Sequence, residues 1–331
     1  MELGCFESPG KEWDEFAARH TDLIFYRSLW SEVLKNGLGG DPLYFYLKEG
    51  GEIVAGLPGV VLRFGFLRIL YASIPYGGLL GEKIYFEPFM ELLVREFRRR
   101  KVAQVRLVES PFSESYRPAS FRSVSSKCTM LNLRDFDKEK VWDNYRSEVR
   151  RAIRKAQKSG LSAKRANSKK EVEAFYRLYH SSMERKGAPS KYPPRWFTAI
   201  YEILIKQGTA DILFALKEDQ LIAGVVLIRS LTSHHYLHNG SDEAHLDSRP
   251  NDFIVDQIIQ EGVKEGKSTL DFMGSDPTDL SLIRFKEKWG SRSLDIHTYV
   301  KDISPLKSKI WEFGRKTAGS KWGAKVLEWI R

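Results

Sequence analysis

Cysteine is almost missing from this 331-residue chain: Cys5 and Cys128 are the only two, far apart and outside any metal-binding or redox spacing. That excludes a disulfide framework and a cysteine-held metal, and with no nearby histidine pattern it gives no case for a thiol nucleophile. A reduced, cytoplasmic setting is the plain expectation. The opening Met1-Glu2-Leu3-Gly4-Cys5-Phe6-Glu7 has no basic region leading into an apolar core, so no signal peptide is expected. Long hydrophobic runs are lacking too. The most apolar stretch, residues 53–80, is interrupted by Arg63, Arg68, two prolines and five glycines, and reads as buried strands and turns rather than a membrane span. Histidines cluster at His234, His235 and His238, but on one strand the outer two lie about 13 Å apart, too far to share an ion. No metal site is expected, and no cofactor is assigned.

What is present is basic charge, unevenly placed. Hydrophobic residues at 42% with 29% charged are those of a soluble globular protein, long enough for two domains, and the net charge is +10. Residues 146–170 hold ten bases against the single acid Glu148, and residues 305–331 hold seven against Glu312 and Glu328. These two segments exceed the whole net charge, so the remainder is slightly acidic. Such clusters point to a polyanionic partner: RNA, a phosphorylated substrate or an anionic membrane surface.

The chain also repeats an order of elements. Phe45-Tyr46-Leu47-Lys48-Glu49, then Ile53-Val54-Ala55-Gly56, a stretch to Tyr76-Gly77-Gly78, a helix-like Phe86–Arg98 and an apolar Val102–Val108 are matched later. The counterparts are Phe214-Ala215-Leu216-Lys217-Glu218, Leu221-Ile222-Ala223-Gly224, His238-Asn239-Gly240, Asp252–Lys264 and Thr269–Met273, at offsets between about 162 and about 169 residues. Two copies in fixed order indicate a duplicated domain rather than a solenoid, and the cleft between two such units is where a ligand is expected.

Periodicity fills in the elements. Trp142, Tyr145, Val149, Ile153 and Ala156 share one face of a helix predicted over Val141–Gly160, and Arg150, Arg154 and Lys158 share the opposite one, with Arg151 and Lys155 beside them. That face is either a solvated surface or a polyanion-binding one; neighbouring like charges on a helix repel, which favours a partner. A second helix is predicted over Lys170–Arg185, breaking at residues 186–189, and another over Trp196–Gln207. Strands Asp211–Leu216 and Leu221–Ser230 form a hairpin about Glu218-Asp219-Gln220, His234–His238 is a further strand, and Asn251 is the expected N-cap of the helix that follows. Hairpins followed by a crossover helix imply mixed sheets covered by helices, an α/β or α+β class. After Ser304-Pro305, Leu306, Ile310 and Phe313 share a face, and Trp322, Val326 and Trp329 make a second stripe. These short helices either dock onto the body or lie on a membrane surface.

The ordered set Arg150-Arg151-Ala152-Ile153-Arg154-Lys155-Ala156 to Gly160-Leu161, Phe175-Tyr176-Arg177-Leu178-Tyr179 to Met183-Glu184-Arg185-Lys186-Gly187, Ile222-Ala223-Gly224, Asp271-Phe272 and Arg284-Phe285-Lys286-Glu287-Lys288-Trp289-Gly290 resembles the Fem family of aminoacyltransferases and the Fem-like branch of the GNAT acyltransferases. The likeness covers nearly all of residues 140–303, with the first copy resembling the family's N-terminal GNAT-like domain. It implies two tandem GNAT-like domains, 1–140 and 141–303, each a mixed, mostly antiparallel sheet covered by helices. Residues 304–331 would be a basic helical tail packing on the first domain. It implies an enzyme that moves an amino acid from aminoacyl-tRNA to an amine of a nucleotide- or lipid-linked peptidoglycan precursor, working in the cytoplasm or peripherally at the inner membrane face.

The residues bear on the donor independently. A CoA-dependent GNAT needs a glycine-rich turn opening the helix after its fourth strand, so that backbone N–H groups hold a pyrophosphate. Here that place reads Ser248-Arg249-Pro250-Asn251-Asp252, with no glycine, a proline that removes one N–H, and carboxylates Asp252 and Asp256 that oppose a phosphate. Acyl transfer to an amine needs reactants held together and a sink for the oxyanion's charge. The resemblance makes Lys286 the catalytic candidate, against a plain surface lysine between Arg284 and Lys288. It makes Arg185 a substrate-phosphate contact, against a helix-end cation. Tyr236, against a plain core tyrosine, and Asn239 are candidates for the substrate cleft, Lys35 after Trp30 is matched one position late, and Asp271 reads as a structural strand residue. Arg150, Arg151, Arg154 and Lys155 are the RNA- or phosphate-binding candidates. The alternatives are an N-acyltransferase acting on an exopolysaccharide or other surface polymer with a different donor, and a non-catalytic RNA- or membrane-binding module.

Overall fold

The repetition in the sequence becomes two folded units. One comprises Met1–Ser125 together with the chain from Ile296, and the other, Ser126–Asp295, is inserted between those two stretches. The computed structural model describes residues 1–137, 140–187 and 190–317. The stripe expected at Trp322, Val326 and Trp329 lies outside them.

The first unit begins with β1 (Glu2–Phe6), α1 (Lys11–His20), α2 (Ser28–Leu38), β2 (Asp41–Pro42) and the strands β3 (Tyr44–Glu49), β4 (Glu52–Leu57), β5 (Val60–Phe64), β6 (Leu67–Tyr71) and β7 (Leu80–Gly81). Then come α3 (Phe86–Arg99), β8 (Gln104–Val108) and the start of β9 (Arg122–Asn132). Strand order is β1-β3-β4-β7 in one sheet, antiparallel throughout. In the other part β8 lies parallel to β6, and β5 and β2 follow antiparallel. Phe86, Phe89, Met90, Leu93 and Phe97 recur at helical spacing along α3 and are buried against Phe45, Leu47, Leu57 and Leu70.

The second unit continues β9 and adds α4 (Ser147–Lys158), β10 (Ser162–Arg165), α5 (Lys169–Arg185), α6 (Pro194–Ile203), β11 (Ala210–Lys217), β12 (Gln220–Arg229) and β13 (Ser233–Ser241). It ends with α7 (Pro250–Lys264), β14 (Thr269–Ser275), α8 (Leu280–Glu287) and the start of β15 (Arg292–Asp302), which re-enters the first unit ahead of α9 (Pro305–Thr317). Its strand order is β10-β11-β12-β13-β14-β9, antiparallel except for β13 beside β14. Glu218 and Asp219 both hold positive φ, 49° and 64°, the turn whose twist matches a two-residue hairpin. Both units are mixed sheets covered by helices, the tandem α/β arrangement expected.

Three details differ from the sequence reading. The second unit starts at Ser126 rather than 141, because β9 supplies it with a strand. The helix expected from Val141 begins at Ser147, since Tyr145 and Arg146 are extended after a 3₁₀ turn over Val141–Asn144. Helix α9 leaves Leu306, Ile310 and Phe313 71%, 44% and 73% exposed. Its contacts are Trp311 against Leu67, Ile69 and Ala103, and Ser308, whose hydroxyl donates to the Ala103 carbonyl at 2.8 Å. Glu312 accepts from Arg106 at 3.1 Å and Arg122 at 3.0 Å. One large indole with a half-buried carboxylate held by arginines outcompetes the aliphatic stripe.

Candidate active site

Parallel strands β13 and β14 pair over only three positions, Ser233 with Thr269 through His235 with Asp271. Beyond them β14 shifts register between Asp271 and Gly274, where Met273 takes φ +63°. That conformation is costly for a side chain of its size, so something must hold it. Asp271, wholly buried, accepts from the Met273 N–H at 2.7 Å and from the Cys128 thiol, and bonds His235 Nδ1 at 3.0 Å. From the other side Lys286 donates to the Met273 carbonyl at 2.9 Å, to the Gly274 carbonyl at 3.3 Å and to Ser275 Oγ at 2.7 Å. The bulge is clamped between a carboxylate and an ammonium, and among the described residues β13 from Tyr236 to Ser241 has no strand partner on that side.

Lys286 is therefore no surface lysine. Only 4% of it is exposed, whereas Arg284 beside it is exposed. Burial pushes its ammonium down to about 8 from the usual 10.5. All three of its N–H bonds are occupied, the longest being that to Gly274.

The unpaired end of β13 gathers further groups. Gly240 lets α5 lie directly on the strand, since a Cβ there would come within 2.3 Å of the Tyr179 nitrogen. Ser182 and Ser241 exchange hydrogen bonds, and Arg185 donates to the Ser241 carbonyl at 3.3 Å. Asn239, two residues earlier, is half-buried. The charge of Lys186, next to Arg185, bears on Lys286, so the end of α5 lies near it. Tyr236 is 6% exposed and its hydroxyl has no hydrogen-bond partner among the described residues; burial, then the charge of Asp252, raises its pKa above the usual tyrosine range. Lys35 lies exposed in the last turn of α2 in the first unit.

Helix α7 opens differently from the expectation. Arg249, with φ +63°, occupies the N-cap position and Pro250 the first helical one, so Asn251 is inside the helix rather than its cap. Asn251 Nδ2 reaches Ser241 Oγ at 3.4 Å, while its Oδ1 is buried without a partner among the described residues. Asp252, 4% exposed, sits in the first turn in an ion pair with Lys288. The positive end of the helix is thus met by the protein's own carboxylate. Asp256 one turn on is also buried, which raises its pKa, and accepts from Tyr145 and Gln260 at 2.8 Å each.

The sequence reading missed Asp252–Lys288 as a pair, Ser275, and Trp289, whose indole N–H is buried and has no partner among the described residues. Lys288 and Trp289 stand in the same Arg284–Gly290 motif that pointed to Lys286, and that was the available signal. The histidines go three ways: His234 to Arg229 and Glu265, His235 to Asp271, and His238 to the Trp196 indole at 2.9 Å. No group of metal-ligating residues forms among the described residues. On α4, Arg151, Arg154 and Lys155 are exposed and Arg150 half-buried; only Lys155 among them forms an ion pair in the described residues, to Asp247 at 3.6 Å. No helix of the described residues is long and apolar enough to cross a membrane.

Residues 143–287 match the family model of the acetyltransferase (GNAT) domain. No curated protein matches the sequence. Among solved structures, FemX is similar at TM-score 0.66 and 15% identity, over 94% of this chain and all (100%) of that one. The C-terminal domain of a protein assigned as a lysylphosphatidylglycerol synthetase from Agrobacterium fabrum aligns at 0.59 and 14%, over 92% of this chain and 96% of its own. A tandem GNAT protein from the clavulanic acid biosynthesis pathway aligns at 0.59 and 9%, over 92% and 99%.

Proposed function

We propose that this chain, a Fem-like GNAT acyltransferase, moves an aminoacyl group from aminoacyl-tRNA to an amine of a nucleotide- or lipid-linked cell-wall precursor. The observation that carries this reading is the start of α7. A GNAT fold that used a CoA thioester would present open N–H groups to a pyrophosphate there. This one presents a proline, a left-handed arginine and a buried, ion-paired aspartate. The donor's phosphates must bind elsewhere, and the unpaired bases of α4 are a place for a polyanion.

The acceptor amine attacks the ester carbonyl carbon, the C–N bond forms, and the C–O bond to the ribose breaks as that oxygen takes up a proton in place of the one the amine loses. Negative charge gathers on the carbonyl oxygen between those events. Lys286 meets it by exchanging its longest bond, to Gly274, for the oxyanion while Met273 and Ser275 keep the ammonium in place. Arg185 and Asn239, at the end of β13, are the substrate-binding pair, with Tyr236 earlier on the same strand.

The test is single-turnover transfer of label from a mixed pool of charged tRNA to a UDP-linked muramyl-pentapeptide, beside an acyl-CoA pool and beside phosphatidylglycerol vesicles. Label leaving tRNA only with enzyme and pentapeptide present supports the reading. Transfer from acyl-CoA alone, or to the vesicles alone, overturns its donor or its acceptor respectively.

A further inference from the structure

A groove of about 740 Å³ opens on the second unit between α7, strand β10 and the 3₁₀ turn before α4. It is the size of a small-ligand site, and none of the residues assigned to transfer lines it. One wall is Trp142, half-buried, with the Arg154 guanidinium 5.3 Å from its ring centre and Tyr145 edge-on at 6.2 Å. Along α7 stand Gln257 and Gln260. Gln260 gives its N–H to the buried Asp256 at 2.8 Å, and Gln257 is turned to the same carboxylate. An amide whose nitrogen is held in this way keeps its carbonyl oxygen as an acceptor. At the rim Lys264 is exposed and forms no ion pair among the described residues, while the acid there, Glu261, is matched by Arg165 and Arg229.

An aromatic face, bare amide oxygens and an unpaired cation, joined through Arg154 to the basic face of α4, are the parts of a site for unpaired nucleotides. We infer that the groove seats the single-stranded end of an RNA: a base on Trp142, phosphates on Lys264 and Arg154, and exocyclic amino groups on the oxygens of Gln257 and Gln260. Amide acceptors of that kind suit cytosine and adenine, which offer an amino group on the pairing edge, and disfavour uracil, which does not. This rests on the proposed use of aminoacyl-tRNA for the identity of the strand, whose 3′ end is CCA.

The experiment is fluorescence anisotropy with the full chain and a labelled RNA hexamer ending in CCA, beside the same hexamer ending in UUU. The CCA strand is expected to bind more tightly. Trp142→Ala should weaken it about tenfold or more, the range of one stacked base, with Trp142→Phe retaining most of the affinity and the thermal midpoint near that of the parent. Gln257→Ala with Gln260→Ala should erase the preference for CCA, and Lys264→Glu should weaken both strands and flatten the salt dependence. Equal binding of CCA by Trp142→Ala and the parent overturns the proposal, as does a CCA preference that survives the double glutamine variant. The assay needs no acyl group. Binding through Trp142 without transfer from charged tRNA would sink the transfer reading alone; transfer with hexamer binding indifferent to Trp142 would sink only this one.

Discussion

The two units carry the same parallel strand pair and treat its far end in opposite ways. In the first, β6 and β8 pair from Ile69 with Gln104 to Tyr71 with Arg106, and the chain then goes on bonding β8. The Ala72 N–H reaches the Arg106 carbonyl at 2.8 Å, and Gly77, after a short excursion, reaches Val108 at 2.9 Å. Phe25, Tyr76 and Phe112 pack edge to face around that excursion, and a cavity of only about 30 Å³ remains. In the second, pairing stops at His235 and Asp271, and a clamped bulge turns β14 away. One skeleton gives a sealed seam and an open one. The seam is opened by two buried ionic groups on a strained residue, an arrangement whose stability cost is explicable if chemistry needs the opening.

The largest expected break in this contrast is Lys286→Met. Transfer should fall by about 100-fold or more, the loss typical of removing one oxyanion donor, in a single-turnover assay on protein whose far-ultraviolet spectrum is unchanged. Asp271→Ala removes the other jaw, which accepts the Met273 N–H and bonds His235 Nδ1. Urea denaturation should register a loss of about 3 kcal/mol, as for a broken buried pair. In the sealed unit, Gly77→Ala would put a Cβ 1.2 Å from the Ala72 carbonyl oxygen. Its midpoint in urea should drop, while transfer per folded molecule stays at the parent rate; a matching fall in rate would mean the sealed seam takes part in catalysis.

Two pH profiles sharpen the comparison. Lys286 titrates near 8 when folded and 10.5 when unfolded. Between these values the unfolded chain holds the extra proton, so stability rises with pH, while transfer falls as the ammonium is lost. The curves should move in opposite directions, and a transfer rate that climbs through pH 8 would make the neutral amine the working form. The smallest effect is at α9. Although burial alone would raise it, hydrogen bonds from Arg315, Arg122 and Gln104 hold Glu312 down to about 2. Its contribution is complete above the unfolded value near 4.5 and lost as pH falls towards 2. Trp311, 4.4 Å from the Phe64 ring, should report the loosening by fluorescence, and Glu312→Gln should remove the acid transition.

Much of the fold was legible because it rests on local periodicity. The α4 face with Val149, Ile153 and Ala156, the Glu218-Asp219 hairpin and the repeated order of elements all follow from spacing and turn chemistry. The resemblance singled out Lys286, but spacing alone does not say which of Arg284, Lys286 and Lys288 turns inward. That depends on where β14 bends, and the bend depends on Asp271, more than ten residues away and reading as an ordinary strand residue. The same limit explains Asn251: its type suits an N-cap, yet Pro250 fixes the first turn one residue earlier. Leu306, Ile310 and Phe313 have the right period for a buried stripe. Which face docks was decided by Trp311 and by arginines from distant strands, partners that a period cannot reveal.

The first unit closes only when its last strand arrives. Tyr299 of β15 is part of the core with Phe45, Phe89 and Leu107, and Thr298–Asp302 pair along β8. On a chain made from the N-terminus, roughly 170 residues of the second unit emerge in between. The later unit has every strand of its own sheet in hand first. The first unit therefore closes after the second has emerged, holding an unfilled place at β8 in the meantime, and the inserted unit is the one able to fold without waiting.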